Sequence, residues 1–247
     1  MKKIVSILMA LIMAGTLSAC GGNQESTEPT TVEKTTERAT ENENSLKPLE
    51  ILDFGYTSAA LTEEQSVIQY GVKIKNPNPN HAVQFLVIYV TAKDIYGQVI
   101  YKGFAPLSAI AAGDTITYGG ATLYDGEAPA KVEASVSSME ASGGYILQEE
   151  STAIYQDELV ISDVVESKGN NGISVNFSGS ITNTSDFDID KKFPITAVFY
   201  KDGKIIGGTL NYFEGLESGE TMPFEIDTIY ILEGLRDYDY YEIYAGQ

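Results

Sequence analysis

The stretch Ala197-Val-Phe-Tyr200-Lys-Asp202-Gly203-Lys-Ile-Ile206 decides the fold. Its apolar and aromatic side chains alternate up to an Asp-Gly pair and begin again after it. Asp-Gly between two such runs is a strong local signal for a β-hairpin with a two-residue turn. The alternation extends upstream, so the odd-numbered residues from Phe193 to Phe199 are expected to share one buried face. The sequence therefore predicts antiparallel strands joined by a tight turn.

This pattern occurs twice in the chain of 247 residues. Four short motifs of the first half recur in the second half in the same order, at spacings between 106 and 110 residues. Matches that keep the same order, with spacings that differ by only a few residues, indicate a duplicated unit of about 100 residues rather than a solenoid of short repeats. The matched pairs are Leu49–Asp53 with Leu159–Asp163, Val72–Pro77 with Gly179–Thr184, Tyr96–Ile100 with Asp202–Ile206, and Ile110–Tyr118 with Leu216–Phe224.

Both units have the period-2 pattern of strands, and no long window has a helical period. We predict an all-β fold with two tandem immunoglobulin-like β-sandwich domains of about seven strands each. The run Val83–Val90 is apolar on both faces and is expected to be a central strand. The predicted division is 1–19 signal peptide, 20–47 lipidated cysteine and disordered tether, 48–150 first sandwich and 151–247 second sandwich.

The second unit carries a family resemblance. Ile181-Thr-Asn183-Thr precedes the Ala197–Ile206 hairpin, and Gly219-Glu-Thr-Met-Pro-Phe224 follows it. This order resembles the FxLYD-type module of Gram-positive surface lipoproteins. The first unit departs from it at Thr91–Gly97, and its Asn76–Asn80 segment is similar to late-embryogenesis-abundant-like sandwiches. The resemblance implies an extracellular immunoglobulin-like sandwich and supplies no catalytic residues.

A short apolar segment opens the chain. Lys2 and Lys3 precede the apolar run Ile4–Leu17, which is shorter than the roughly 20 residues that a bilayer-spanning helix needs and suits a signal peptide. The residues that end this run resemble the lipobox of bacterial lipoproteins. That resemblance implies a diacylglyceryl and palmitate anchor on the cysteine, at the extracellular face of the cell membrane. The lipobox residues are Leu17, Ser18, Ala19 and Cys20.

Composition excludes several classes of function. The formal net charge is −19, which argues against nucleic-acid binding because a phosphate backbone needs a basic surface. Cys20 is the only cysteine and His81 the only histidine, so an internal disulfide framework and a zinc site built on those ligands are excluded.

The tether after Cys20 is rich in Ser, Thr and Glu and has no aromatic residue, which predicts disorder. We interpret His81 as a loop histidine at a strand start.

The segment Asp186-Phe-Asp188-Ile-Asp190 is a weak candidate for a metal site. An EF-hand loop would need Gly and Glu where this chain has Lys191 and Ala197, so that motif fails. A looser calcium site stays open, since hard cations accept carboxylates on a β-loop. Alternation would place all three carboxylates on one face of an extended strand. Paired carboxylates also leave a glycosidase-like hydrolase open as an alternative.

Four tyrosines near the C-terminus are a candidate binding surface. Exposed tyrosines can stack on sugars or anchor a partner protein. We predict a non-catalytic binding or structural component of the cell envelope, with no cofactor, whose partners are the membrane and an envelope or host protein. The alternatives are a carboxylate-dependent hydrolase and a calcium-stabilised adhesin, and the sequence does not predict the oligomeric state. The tyrosines are Tyr238, Tyr240, Tyr241 and Tyr244.

Overall fold

Every strand pairs antiparallel with its neighbours in the computed structural model, which describes residues 46–138, 144–169, 174–228 and 231–246. Single 3₁₀ turns lie at Gln148–Glu150, Gln156–Glu158 and Glu233–Leu235. The strands are β1 (Glu50–Ala60), β2 (Gln65–Lys75), β3 (His81–Lys93), β4 (Val99–Ile110), β5 (Thr115–Asp125), β6 (Lys131–Ser138), β7 (Tyr145–Leu147), β8 (Leu159–Lys168), β9 (Val175–Asn183), β10 (Ile189–Lys201), β11 (Lys204–Leu216), β12 (Thr221–Thr228) and β13 (Tyr240–Ala245).

The two halves of the chain share one strand topology. In the first half, sheet A has the order β1-β2-β5, and sheet B has the order β4-β3-β6 with β7 also paired to β3. In the second half, sheet C has the order β12-β9-β8 and sheet D the order β11-β10-β13. Sheets A and C therefore correspond, as do sheets B and D. The all-β fold predicted from the sequence is confirmed, and residues 44–247 form one compact unit, so the division into two domains at 150/151 stays a prediction.

Each half buries its own core between its two sheets. The first core lies between sheets A and B, where Ile74 and Ile88 are fully buried, and the second between sheets C and D, where Phe177 and Ile226 are. The odd-numbered residues from Phe193 to Phe199 are all 0% exposed in the second core, as the alternation predicts. The apolar run Val83–Val90 belongs to β3, the central strand of sheet B, which is also as predicted.

The Asp-Gly pair forms the tight turn that the sequence predicts. Asp202 and Gly203 have φ angles of 51° and 71°, and Lys201 pairs with Lys204 across a two-residue loop. Two positive φ angles define a type I′ turn, whose twist matches that of the flanking strands. The prediction of a hairpin over this stretch is confirmed.

A buried asparagine lies at the end of the second strand of each half: Asn183 is the last residue of β9, and Asn76 directly follows β2. The side-chain amide of Asn183 donates to the carbonyl oxygens of Phe187 (2.8 Å) and Leu216 (3.2 Å), and its Oδ1 accepts from the backbone N–H and the hydroxyl of Ser185. Asn76 does the same in the first half, where its amide donates to the carbonyl oxygens of His81 and Ala111. Both asparagines are fully buried with their amides satisfied. Asn183 of the Ile181–Thr184 motif therefore links the end of β9 to the loop that follows it.

Sheets A and D pack against each other through glycines, which joins the two halves. On sheet A, a Cβ added at Gly71 would lie 2.6 Å from the Ile205 side chain, and one at Gly119 would lie 2.7 Å from the carbonyl oxygen of Ala197. On sheet D, a Cβ at Gly208 would lie 2.6 Å from Cα of Gly119. These faces meet backbone to backbone, closer than the usual separation of about 10 Å between packed sheets. The order of layers is B, A, D, C.

Candidate functional site

A cleft opens along the edge where β4 and β5 of the first half meet β11 of the second half. Its volume is about 200 Å³, and aromatic and small apolar side chains form most of its wall. Because β11 belongs to sheet D, the packing of sheets A and D completes the cleft. We call it the tyrosine cleft, and it is lined by Tyr70, Val90, Gly103, Phe104, Ala105, Tyr118, Ala121, Thr122, Leu210 and Tyr212.

Two glycines make room for the tyrosine rings beside the cleft. A Cβ added at Gly120 would lie 2.6 Å from the hydroxyl oxygen of Tyr70, so the ring of Tyr70 reaches across β5 at this point. Gly103 leaves the same kind of space for Tyr101, whose hydroxyl lies 2.6 Å from Oγ1 of Thr122. Glycine is the only residue that lets a ring approach the backbone this closely, across the strand pair at Gly120 and along the same strand at Gly103.

Three tyrosine hydroxyls face one another in the cleft. The rings of Tyr70 and Tyr118 are 6.3 Å apart, and both residues are almost fully buried, whereas Tyr212 at the rim is exposed. Burial raises the pKa of Tyr118 far above its usual value, and the neighbouring hydroxyls of Tyr70 and Tyr212 raise it further. Burial likewise raises the pKa of Tyr70. The phenols of Tyr70 and Tyr118 therefore stay protonated, and the hydroxyl of Tyr118 interacts with those of Tyr70 and Tyr212.

The cleft is neutral in an otherwise acidic protein. None of the ten described residues that line it carries a charge, although the formal net charge of the chain is −19. Ring faces, aliphatic walls and neutral hydroxyls suit a ligand that has both an apolar face and polar groups. At about 200 Å³ the cleft is smaller than the 300–1,000 Å³ of drug-sized pockets, so it has room for about one ring.

The four C-terminal tyrosines do not form one exposed row. Tyr238 and Tyr241 face the second core, where Tyr241 lies 4.5 Å from Phe177 and the hydroxyl of Tyr238 donates to Glu166 over 2.7 Å. Tyr240 and Tyr244 lie on the opposite face of β13. The prediction that all four share a binding surface is corrected, because alternation along β13 divides Tyr240, Tyr241 and Tyr244 between its two faces and Tyr238, just before the strand, packs into the second core.

On that opposite face the tyrosines pack with Tyr200. The ring of Tyr240 stacks on Tyr200 at 4.7 Å, and the hydroxyl of Tyr244 lies 3.3 Å from that of Tyr200. Burial and the neighbouring Glu242 raise the pKa of Tyr244 to about 12. Tyr240 is exposed, with 44% of its surface accessible to solvent, and the other three tyrosines are half-buried.

The three carboxylates of the candidate metal segment are not brought together on one face. Asp186 and Asp188 lie in a loop before β10, whereas Asp190 is in the strand. The loop turns because Asn183 holds the carbonyl oxygen of Phe187, and Oδ1 of Asp188 accepts the backbone N–H of Ser218. Across the described ranges, no three His, Cys, Asp or Glu side chains are grouped to hold a metal. The segment is therefore not one extended strand, and the shared face that such a strand would give does not form.

Of the remaining candidates, His81 lies at the start of a strand and the others lie outside the described residues. His81 begins β3, and its carbonyl oxygen accepts from Asn76, consistent with a histidine at a strand start. The lipobox, Cys20 and nearly all of the tether lie outside the described residues. No helix in the described part of the chain has both the length and the apolar character to cross a membrane.

Sequence reasoning missed the tyrosine cleft. Its residues come from five strands of both halves, and no local motif links them. The available signal was the adjacency of aromatic residues and glycines in Tyr70-Gly71 and Tyr118-Gly119-Gly120. Glycine inside a strand marks a close approach of another group, which here is a ring on one face and a second sheet on the other.

Comparisons with known proteins give no family for this chain. No protein-family model matches it, and no curated protein matches it. Among solved structures, a calcium-binding mutant of Bacteroides uniformis beta-glucuronidase 2 aligns at 12% identity over 72% of this chain and 23% of that chain, with a TM-score of 0.20. The N-terminal tandem CBM22 domains of Paenibacillus barcinonensis Xyn10C align at 10% identity over 83% of this chain and 87% of that chain, with a TM-score of 0.17. Likeness at this level carries no argument about ligand or activity.

Proposed function

We propose that this chain is a non-catalytic binding protein of the cell envelope that holds one ring of a neutral ligand, such as a sugar residue, in the tyrosine cleft. The observation that carries the proposal is the cleft itself, which combines aromatic ring faces, protonated hydroxyls and an uncharged lining. Ring faces pack on the apolar side of a sugar, and the hydroxyls of Tyr70 and Tyr118 form hydrogen bonds with its polar groups. The net charge of −19 on the chain disfavours anionic ligands.

The lipobox supports the proposed location. Lipidation of Cys20 would anchor the chain at the outer face of the membrane, and each acyl CH₂ buried in the bilayer contributes about 0.8 kcal/mol. The folded unit would then be presented to ligands in or beyond the envelope.

The test is a titration of the purified protein with neutral and acidic oligosaccharides. Calorimetry and NMR of the tyrosine resonances measure the binding. Binding of a neutral sugar is expected in the micromolar to millimolar range, which corresponds to roughly −8 to −4 kcal/mol and suits a one-ring site. Leu210→Trp should fill the cleft and abolish binding, while Tyr118→Phe removes one hydroxyl and should weaken binding about tenfold.

The matched control is Tyr56→Phe, which removes a tyrosine hydroxyl from β1, outside the cleft lining. It should leave the affinity unchanged. Binding that survives Leu210→Trp would place the ligand elsewhere, and the absence of binding to every neutral sugar tested would overturn the proposal.

A further inference from the structure

The outer faces of sheets B and C are the two open ends of the stack of layers. In the described part of the chain, sheets A and D cover each other and no further sheet covers B or C. Both open faces carry exposed apolar side chains. Val99 and Phe104 lie on sheet B, Val160 and Val165 lie on sheet C, and the exposed fractions of Val99 and Val165 are 58% and 59%. Apolar side chains grouped on an open sheet face mark a surface for an interaction.

The two open faces correspond to the two faces that already dock within the chain. Sheet B has the topology of sheet D, and sheet C has that of sheet A. If the outer face of sheet C in one copy docked on the outer face of sheet B in a second copy, the contact would repeat between copies the docking of sheet A on sheet D. The duplication therefore supplies a geometry in which the residues of the two open faces can be matched.

The match brings the two exposed valines together. Within the chain, Gly55 of sheet A lies against Ile205 of sheet D so closely that an added Cβ would collide with the carbonyl oxygen of Ile205. Val165 holds in sheet C the position that Gly55 holds in sheet A. Val99 holds in sheet B the position of Ile205, since each lies at the register shift of its hairpin. Docking of sheet C on sheet B therefore places Val165 against Val99 and removes both side chains from water.

The same match brings together two side chains of opposite charge. Gly119 of sheet A faces Gly208 of sheet D, where a Cβ added at Gly208 would lie 2.6 Å from Cα of Gly119. Glu225 holds the position of Gly119 in sheet C. Lys102 holds the position of Gly208 in sheet B, and its Nζ lies on the outer face, 4.6 Å from the ring centre of Tyr89.

These two charges are available for a contact between copies. Both Glu225 and Lys102 are exposed, and neither belongs to an ion pair among the described residues. Side chains replace the glycines of the inner contact at these positions, so sheets C and B would meet at the ordinary spacing of about 10 Å, with the side chains between them. The two faces therefore match in apolar contact and in charge.

We infer that copies of this chain associate head to tail, with the outer face of sheet C in one copy docked on the outer face of sheet B in the next. The two faces differ, so the contact is heterologous and repeats into a linear array of layers instead of closing a two-fold dimer. The net charge of −19 on each chain opposes association, so the contact is weak in solution. It forms whether or not the tyrosine cleft binds a sugar.

The experiment uses the compact unit, residues 44–247, which has both hydrophobic cores and lacks the apolar N-terminal segment. Sedimentation velocity and light scattering measure its mass as the concentration rises, in about 0.15 M salt to screen the net charge. The average mass is expected to rise past that of a dimer, with a Kd of about 0.1–1 mM. A protein that stays monomeric at about 1 mM, or stops at a dimer, overturns the inference.

Two variants separate the two faces. Val99→Arg blocks the face of sheet B, and Val165→Arg blocks the face of sheet C. Each variant alone is expected to be monomeric, whereas an equimolar mixture is expected to form a one-to-one complex, because each partner keeps the face that the other lacks. Leu61→Arg, in the turn between β1 and β2 and on neither face, is the control and should associate as wild type does. Association of either blocked variant by itself, or a mixture that stays monomeric, overturns the inference.

Charge reversal tests the match of Glu225 with Lys102. Glu225→Lys and Lys102→Glu each place like charges face to face and should weaken association about fivefold. The double variant Glu225→Lys/Lys102→Glu restores opposite charges across the contact and should return to about the affinity of wild type. Thermal unfolding of each variant shows that the fold is kept. Single variants that associate as wild type does, or a double variant no tighter than the single ones, overturn the inference.

Discussion

Replacement of Gly119 by alanine tests the packing of sheets A and D. The added Cβ would lie 2.7 Å from the carbonyl oxygen of Ala197, 3.1 Å from Cγ2 of Val198 and 3.2 Å from Cα of Gly208. Ordinary contact needs about 3.4 Å, so the two sheets must separate by about 0.7 Å, a gap that forfeits a quarter to a half of the dispersion energy of the atoms around it. The backbone atoms in contact belong to paired strands and cannot move aside singly.

The expected loss of stability is about 2 kcal/mol, in the range found for overpacked sites, and would lower Tm by about 4–8 °C in a unit of this size. The sign of the change in stability decides whether the second sheet lies against Gly119. Gly119 does not have a positive φ, so alanine in open space would instead stabilise the protein by roughly 0.4–1 kcal/mol through the unfolded state.

Urea and thermal unfolding, followed by circular dichroism, measure the change. Ala121→Val, at an exposed position two residues along the same strand, is the control and should change stability by less than about 0.5 kcal/mol. Gly208→Ala should act like Gly119→Ala, and the double variant should lose less than the sum because one separation relieves both contacts. A Gly119→Ala protein as stable as wild type or more stable would refute the backbone-to-backbone packing.

Three further predictions concern single residues. Asn183→Ala should destabilise the unit by about 3 kcal/mol in urea unfolding, because four hydrogen bonds to a buried amide are lost, and a loss below about 1 kcal/mol would contradict its role as a tie. Hydrogen bonds from Lys131 and Lys93 lower the pKa of Glu133 to about 2 from its usual 4.5. The stabilisation by Glu133 is therefore complete above pH 4.5 and lost as the pH falls toward 2, so the Tm difference between wild type and Glu133→Gln should vanish over that interval. Cys20→Ser should release the protein from membranes to the medium, as fractionation and blotting would show, and a variant that stays on the membrane would contradict the anchor.

The sequence by itself determined the strands, the duplication and the tight hairpin. Alternation from Phe193 to Phe199 is a local property, since successive side chains of a strand point to opposite faces, and the structure buries these residues as predicted. Asp202-Gly203 fixes its turn through two positive φ angles, which is also local. The repeated motifs predict the correspondence of the two halves, which the shared strand topology bears out.

Only the tertiary structure decided what each exposed face does. Gly71 pairs with Gly119 on sheet A, and Ser178 pairs with Glu225 at the matching place on sheet C. A period of two shows which residues share a face but not whether a second sheet covers that face. The face that a second sheet covers is the face of sheet A that carries Gly71 and Gly119, because one backbone can approach another this closely only where no Cβ lies between them.

The same limit explains the tyrosines and the cleft. The run Tyr238–Tyr244 is dense in the sequence, yet packing divides it between the second core and the face that stacks on Tyr200. Tyr70 and Tyr118 meet through the pairing of β2 with β5 in sheet A, and Tyr212 joins them only because sheet D docks on sheet A. Residues brought together by the packing of two sheets leave no spacing in the sequence to read, so the cleft is a property of the assembled layers alone.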